Sequence, residues 1–232
     1  MPDVHKKADC FNCDLKLNLF CYMNENQLST VNKNRQEVHF KAGETIFKNG
    51  SPLTHLVCVT KGLVKVYIED PNSDKRILIR LIKPVELILG PGFLTDGRHH
   101  ITAVAMEDTS ACFVEIADHK MVMESNPEYS IAIVQKLNED ILGYYDKFST
   151  LAHKHTHGKL AETLLYLSED IYCSNAFETK LSRQDMAELS GMTKETTIRV
   201  IKEFAEEGMI TCNHHHFEIL DKEKLSKISK SG

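Results

Sequence analysis

From Phe40 to Ile116 short apolar runs alternate with turn residues at regular spacing: Lys41-Ala42-Gly43-Glu44, Thr60-Lys61-Gly62, Asp70-Pro71-Asn72-Ser73, Gly90-Pro91-Gly92 and Thr95-Asp96-Gly97. Gly, Pro, Asn and Asp at such intervals mark hairpins, and Leu63–Ile68 and Ile77–Ile82 are rich in β-branched residues. The pattern predicts an antiparallel β-roll. After Pro127 the period lengthens, with apolar residues at Val134, Leu137, Ile141, Tyr144, Phe148 and Leu151. Alternating steps of three and four put these on one side of a long helix, and such a seam calls for a partner. A second copy of the chain is the expected partner; the β-domain of the same chain is the other. Gly158, after His153-Lys154-His155-Thr156-His157, reads as a hinge before a helix from Lys159 to about Tyr172, with the three histidines solvated on the connector.

A different pattern follows. Leu181 to Phe204 reads as two helices around Gly191, with Ser182 and Thr193 as N-caps and small Ala187 where the helices approach. On the second helix Thr197, Val200, Ile201 and Phe204 share an inward face, leaving Lys194, Glu195, Ile198, Arg199 and Lys202 outside. Arg199 suits a bidentate contact to guanine, Glu195 can accept from cytosine N4, and Lys194 reaches guanine or phosphate. Ile198 suits a thymine methyl. Ser182, Arg183 and Thr193 complete the expected DNA-contacting set. Beyond lie two strands, Gly208–Cys212 and Phe217–Leu220, joined by Asn213-His214-His215-His216 as a wing.

Composition adjusts this picture in three ways. A length of 232 residues with 42% hydrophobic content suits two domains, and no apolar run approaches a membrane span. The expectation is a cytoplasmic protein with no membrane partner. A net charge of −5 gives no global sign of nucleic-acid binding, so the DNA reading depends on where the cations sit. No nucleophile elbow, phosphate loop or metalloprotease motif is present, so the chain reads as a non-enzyme. Seven cysteines, an odd number, argue for thiols, metal ligands or core residues in place of a disulfide framework. Cys58, Cys173 and Cys212 read as small buried hydrophobes.

From about Phe20 onward the chain resembles the Crp/Fnr family of bacterial transcription regulators. The matching residues are Lys41-Ala42-Gly43-Glu44-Thr45-Ile46-Phe47, Gly62, the strand from Thr109-Ser110 to Glu115-Ile116, Leu181-Ser182-Arg183-Gln184-Asp185, Lys194-Glu195-Thr196 and Arg199. The resemblance implies an α+β chain with an N-terminal antiparallel β-roll (a cupin-like jelly roll), a long dimerisation helix and a C-terminal winged helix-turn-helix. It implies an N-terminal arm at 1–22, a sensory roll at 23–126, the dimerisation helix and hinge at 127–155, and the DNA-binding domain at 156–232. It further implies a homodimer on palindromic double-stranded DNA, with RNA polymerase as a further partner. Ile198 departs from the Gly or Ser common at that position, so the family's usual target sequence does not carry over.

The cyclic-nucleotide branch of the family grips its phosphate with an Arg-Ser pair, where this chain has His99-His100-Ile101-Thr102. The oxygen-sensing fumarate–nitrate branch is the closer likeness, since it carries cysteines in an N-terminal arm and one in the roll. Cys10, Cys13, Cys21 and Cys112 are the corresponding thiols, four being what a 4Fe-4S cluster requires. A zinc or thiol–disulfide site, haem on one of the twelve histidines, and no cofactor at all stay open. So does a small-molecule-binding module without DNA function.

Overall fold

The computed structural model describes residues 10–11, 18–73 and 75–231. Among the described residues eight strands build the N-terminal roll: β1 (Gln36–Phe40), β2 (Thr45–Phe47), β3 (His55–Lys61), β4 (Val64–Glu69), β5 (Arg76–Ile82), β6 (Glu86–Ile88), β7 (Thr102–Ala105) and β8 (Thr109–Glu115). They form two four-stranded sheets, ordered β1-β8-β3-β6 and β2-β7-β4-β5. The third turn cluster closes the β4–β5 hairpin, the second links β3 of one sheet to β4 of the other, and Gly62 shows why the second cannot carry a side chain at that position. Its φ is +83° and a Cβ there would lie 2.6 Å from the Thr109 hydroxyl.

Three helices had no counterpart in the hydrophobic pattern, two beside the roll and one after the wing. Helix α1 (Glu25–Asn34) opens with a capping box in which Asn24 and Gln27 satisfy each other's backbone N–H groups at 2.9 and 3.1 Å. Helix α2 (Ile116–Ser125) starts where β8 ends, with too even a distribution of apolar residues to show a stripe. The long helix α3 (Pro127–His153) begins with proline at its first position, where the missing N–H costs nothing. Its 27 residues span about 40 Å.

Then come α4 (Thr156–Tyr166), a π-helical turn (Leu167–Ile171), β9 (Ala176–Glu178), α5 (Arg183–Ser190), α6 (Lys194–Glu206), β10 (Ile210–Asn213), β11 (His216–Ile219) and α7 (Lys222–Ser231). The wing is a three-stranded sheet, β10-β11-β9, the third strand being supplied by a segment the pattern left as connector. Gly158 is not a hinge. It lies buried in the first turn of α4, and the break between helices falls three residues earlier, at Lys154-His155.

By packing, the chain divides into two compact units, each discontinuous in sequence: residues up to Lys65 with Ile82–Ile141, and Val66–Leu81 with residues from Leu142 onward. The first unit's core gathers Leu56, Cys58, Val114, Val122, Tyr129 and Ile133 around Leu28 and Val31 of α1. Within it His119 is 1% exposed, its Nδ1 lies 2.7 Å from the Tyr129 hydroxyl, and its Nε2 has no partner among the described residues. Burial pushes this imidazole down to about 4 from its ordinary 6.5. The unfolded chain therefore takes up the proton first as pH falls. Stability should be full above about 6.5 and decline towards about 4. Urea unfolding at pH 7.5 and pH 5 measures this, and the difference should shrink in His119→Phe.

Candidate nucleic-acid interface

The helix pair α5–α6 owes its geometry to its caps. The Ser182 hydroxyl accepts from the Asp185 backbone N–H at 3.0 Å, and the Asp185 carboxylate accepts from the Ser182 N–H at 2.9 Å. Asp185 is buried, and its second oxygen accepts from the Tyr67 hydroxyl of β4 at 2.9 Å. Beside it the Arg76 guanidinium lies 4.2 Å from the centre of the Tyr67 ring and pairs with Glu188 at 2.9 Å. A hairpin of the roll thus holds the first helix of the α5–α6 pair. Nothing in the local sequence announces this, since Tyr67 and Asp185 are 118 positions apart.

At the turn Gly191 is left-handed, with φ +64° and ψ +40°, and its N–H donates to the Ala187 carbonyl. Thr193 then caps α6, accepting from the Thr196 N–H at 3.2 Å. Thr197, Val200, Ile201 and Phe204 are all buried. Lys194, Glu195, Ile198, Arg199 and Lys202 are exposed, Ile198 by 45%, a large apolar area to leave in water. The outward face therefore carries two lysines, an arginine, an acceptor and an apolar patch along one helix. Two members of the expected contact set are engaged inside the protein. The Ser182 hydroxyl belongs to the capping box, and Arg183 donates to the His214 carbonyl at 2.7 Å and the Cys212 sulfur at 3.0 Å while lying 5.0 Å from the Phe217 ring centre. Arg183 ties α5 to the wing.

Arg199 is also tied, but on its own helix. Its Nη1 donates to Glu203 Oε1 at 2.6 Å, and the other Glu203 oxygen lies 2.8 Å from Nε2 of His157. His157 is thus no solvated connector residue: α4 carries it against α6, with its ring 5.7 Å from that of Phe204. Behind the pair, Lys147 of α3 is pushed down to about 8 by burial and donates to the Leu189 carbonyl near the end of α5.

The seam on α3 divides. Leu137 packs against the first unit's core, Tyr144 is half-buried, and Leu151 lies where a Cβ on Gly191 would meet its Cδ2 at 2.3 Å. Ile131, Val134, Ile141, Leu142, Tyr145 and Phe148 face solvent, Phe148 by 71%. The exposed stripe thus shares three residues with the expected seam and adds three on its flank.

Of the four candidate cysteine ligands, Cys13 lies outside the described residues. Cys10 is buried in the first unit's core, its N–H donating to Asn32 at 3.0 Å. Cys112 of β8 lies within electrostatic reach of Cys10 and accepts from Arg35 Nη1 at 3.2 Å. Burial pushes the Cys112 thiol up, with Arg35 opposing. Cys21 is exposed, and no group of three His, Cys, Asp or Glu side chains among the described residues could hold a metal. The described residues thus assemble half of a four-thiol set. Arg35, 77 positions from Cys112, gave no signal in the sequence. Of the cysteines read as buried hydrophobes, only Cys58 is one. Cys173 is exposed at a left-handed turn after the π-helical segment, and Cys212, half-buried on β10, faces Arg183.

In the roll, Arg98 donates to the Gly50 carbonyl at 2.7 Å. Among the described residues no helix is long and apolar enough to cross a membrane.

Two protein families match the chain: the Cyclic nucleotide-binding domain over residues 37–126 and the Crp-like helix-turn-helix domain over 158–228. The Transcriptional regulatory protein btr of Bordetella pertussis is 24% identical over 84% of this chain and 81% of its own. The Fumarate and nitrate reduction regulatory protein of Escherichia coli is 22% identical over 95% of this chain and 90% of its own. The solved structure of FixK2 from Bradyrhizobium japonicum superposes with a TM-score of 0.78 at 18% identity, covering 85% of this chain and 98% of that one.

Proposed function

We propose that this chain, which belongs to the Crp/Fnr family of DNA-binding transcription regulators, works as a homodimer that reads a palindromic operator with α6 and takes its signal from the cysteines around the N-terminal arm. The outward face of α6 carries the reading: Lys194, Glu195, Ile198, Arg199 and Lys202 are exposed on the first turns of a helix whose opposite face is buried. Arg199 reads guanine, Glu195 accepts from cytosine, Ile198 packs on a thymine methyl, and Lys194 and Lys202 meet guanine or phosphate. Thr193 lies at the helix N-terminus, where backbone N–H groups favour a phosphate. Two-fold symmetry sets half-sites about one helical turn apart. Activation would bring RNA polymerase to the bound dimer.

Arg199→Ala is expected to weaken binding by about 1–3 kcal/mol and to relax the preference at a single base pair. Selection from a randomised duplex pool at fixed salt measures both. A variant that loses affinity evenly over all sequences would reduce Arg199 to a phosphate contact, one that binds as wild type would remove Arg199 from the readout, and an unmutated protein that enriches no duplex would return the chain to a ligand-binding module without DNA function.

For the signal, the proposed sensor is a 4Fe-4S site held by Cys10, Cys13, Cys21 and Cys112, responding to oxygen, nitric oxide or redox state. What such a group supplies when bound is a redox-labile iron centre. Support comes from the shared neighbourhood of Cys10 and Cys112 and from Arg35, which donates to the Cys112 sulfur at 3.2 Å and opposes the larger effect of burial that pushes the thiol up. A second reading has its own observation: only Cys10 and Cys112 come together among the described residues, which suits a two-thiol or zinc site. Haem or another small ligand in the roll is the third.

Protein purified without oxygen should contain iron with matching acid-labile sulfide, and its visible absorption should bleach in air. Cys13→Ala should lose both iron and oxygen response. Zinc without iron would favour the second reading, and colourless, metal-free protein after reconstitution would remove the cluster.

A further inference from the structure

His157 was expected to be a solvated connector residue, yet it reaches the recognition helix. We propose that His157 is a positioning residue for DNA readout, acting through Glu203 to set the orientation in which Arg199 meets the groove. The inference rests on the reading of Arg199 as a base contact.

Glu203 lies one turn beyond Arg199 on α6 and bridges side chains from two helices: Oε1 accepts from Arg199 Nη1 at 2.6 Å, and Oε2 faces His157 Nε2 at 2.8 Å. Opposite a carboxylate, Nε2 must be the protonated ring nitrogen. The bond takes one of the five guanidinium N–H groups and leaves the Nε–Nη2 edge for guanine O6 and N7. An arginine free on a helix surface has large rotamer entropy to lose when it docks. An i, i+4 pair alone restrains it weakly. His157 adds what the pair lacks, because α4 and the neighbouring Phe204 ring fix it against the body of the domain. With one oxygen anchored from outside the helix, Glu203 presents the other in a defined place. The two bonds also hold the Glu203 carboxyl below its usual range, Arg199 first and His157 second, so it stays charged at neutral pH.

The test is selection of half-sites from a randomised duplex pool at fixed salt, with wild type, Arg199→Ala, His157→Ala and His157→Gln in parallel. Arg199→Ala locates the base pair that Arg199 reads. His157→Ala should lose about three- to tenfold in preference at that same position and little elsewhere. His157→Gln, which keeps an N–H donor for the carboxylate, should recover most of it. Wild-type preference in His157→Ala, or an even loss at every position, overturns the proposal while leaving Arg199 as a reader. If Arg199→Ala itself relaxes no single position, both ideas fall together. Should His157→Ala not fold, Glu203→Ala must show the same positional loss, and its keeping the preference is equally fatal.

Discussion

Phe148→Asp should convert the proposed dimer to monomer at micromolar concentration and cut operator affinity by about a hundredfold or more. Ile131, Val134, Ile141, Leu142, Tyr145 and Phe148 are exposed along a single helix, an apolar stripe that a lone soluble chain seldom leaves in water. Phe148 is the most exposed of them. Burying a phenylalanine stabilises by about 1.5–3 kcal/mol, and two-fold symmetry counts each substitution twice. The aspartates would also face one another across the axis. A monomer holds one half-site with half the phosphate contacts and without the effective concentration that the second reader gains from the first. Sedimentation equilibrium reads the association, and fluorescence anisotropy at fixed salt reads the affinity. Leu137→Ala and Leu151→Ala are the informative controls. Their side chains pack within their own units, so they should lower melting temperature more than dimer strength. A Phe148→Asp protein that remains a tight dimer would take the stripe out of the interface.

The second large effect is on stability. Gly191→Val should destabilise the reader's unit by about 2–5 kcal/mol, from about 1–2 for a side chain in the left-handed region and about 1–3 for overpacking. A Cβ at Gly191 would sit 2.3 Å from Leu151 Cδ2, and a β-branched residue suffers most at positive φ. These two costs are separable. In a double-mutant cycle, Leu151→Ala should recover the packing part and leave the backbone part, which urea unfolding of the four proteins resolves. No recovery would mean that backbone conformation carries the whole penalty.

Much of the fold could be read from the chain because its signals are local. The roll strands, the long helix, both caps of the helix pair and the buried face of α6 all follow from periods of two and 3.6 and from residues with one conformational use, such as Ser182, Thr193 and Gly191. Helix α1 was missed although Asn24 and Gln27 advertise its start, because the short stripe that follows is mostly polar. Helix α2 hides for the opposite reason, having no polar face to contrast. What sequence reading could not reach are contacts between distant positions: Arg35 on Cys112, Tyr67 on Asp185, His157 on Glu203. Each joins residues whose types are ordinary where they stand. The histidine cluster before Gly158 shows this well: His153 ends α3, His155 lies in the break, and only His157 rides on α4 against α6.

The hairpin from Val66 to Leu81 packs with the reader although it lies inside the segment that matches the nucleotide-binding family. Tyr67 donates to the carboxylate that caps α5, Arg76 pairs with Glu188, and the Leu81 N–H donates to the Tyr166 hydroxyl at 3.0 Å. The reader is therefore not a transplantable cassette. Grafting residues 158–228 onto another sensor would leave Asp185 without its phenol donor and bare the surface the hairpin covered, whereas a graft that brought a matching hairpin along would move the whole mechanical part. In this chain inheritance is contiguous, but the working pieces are interleaved.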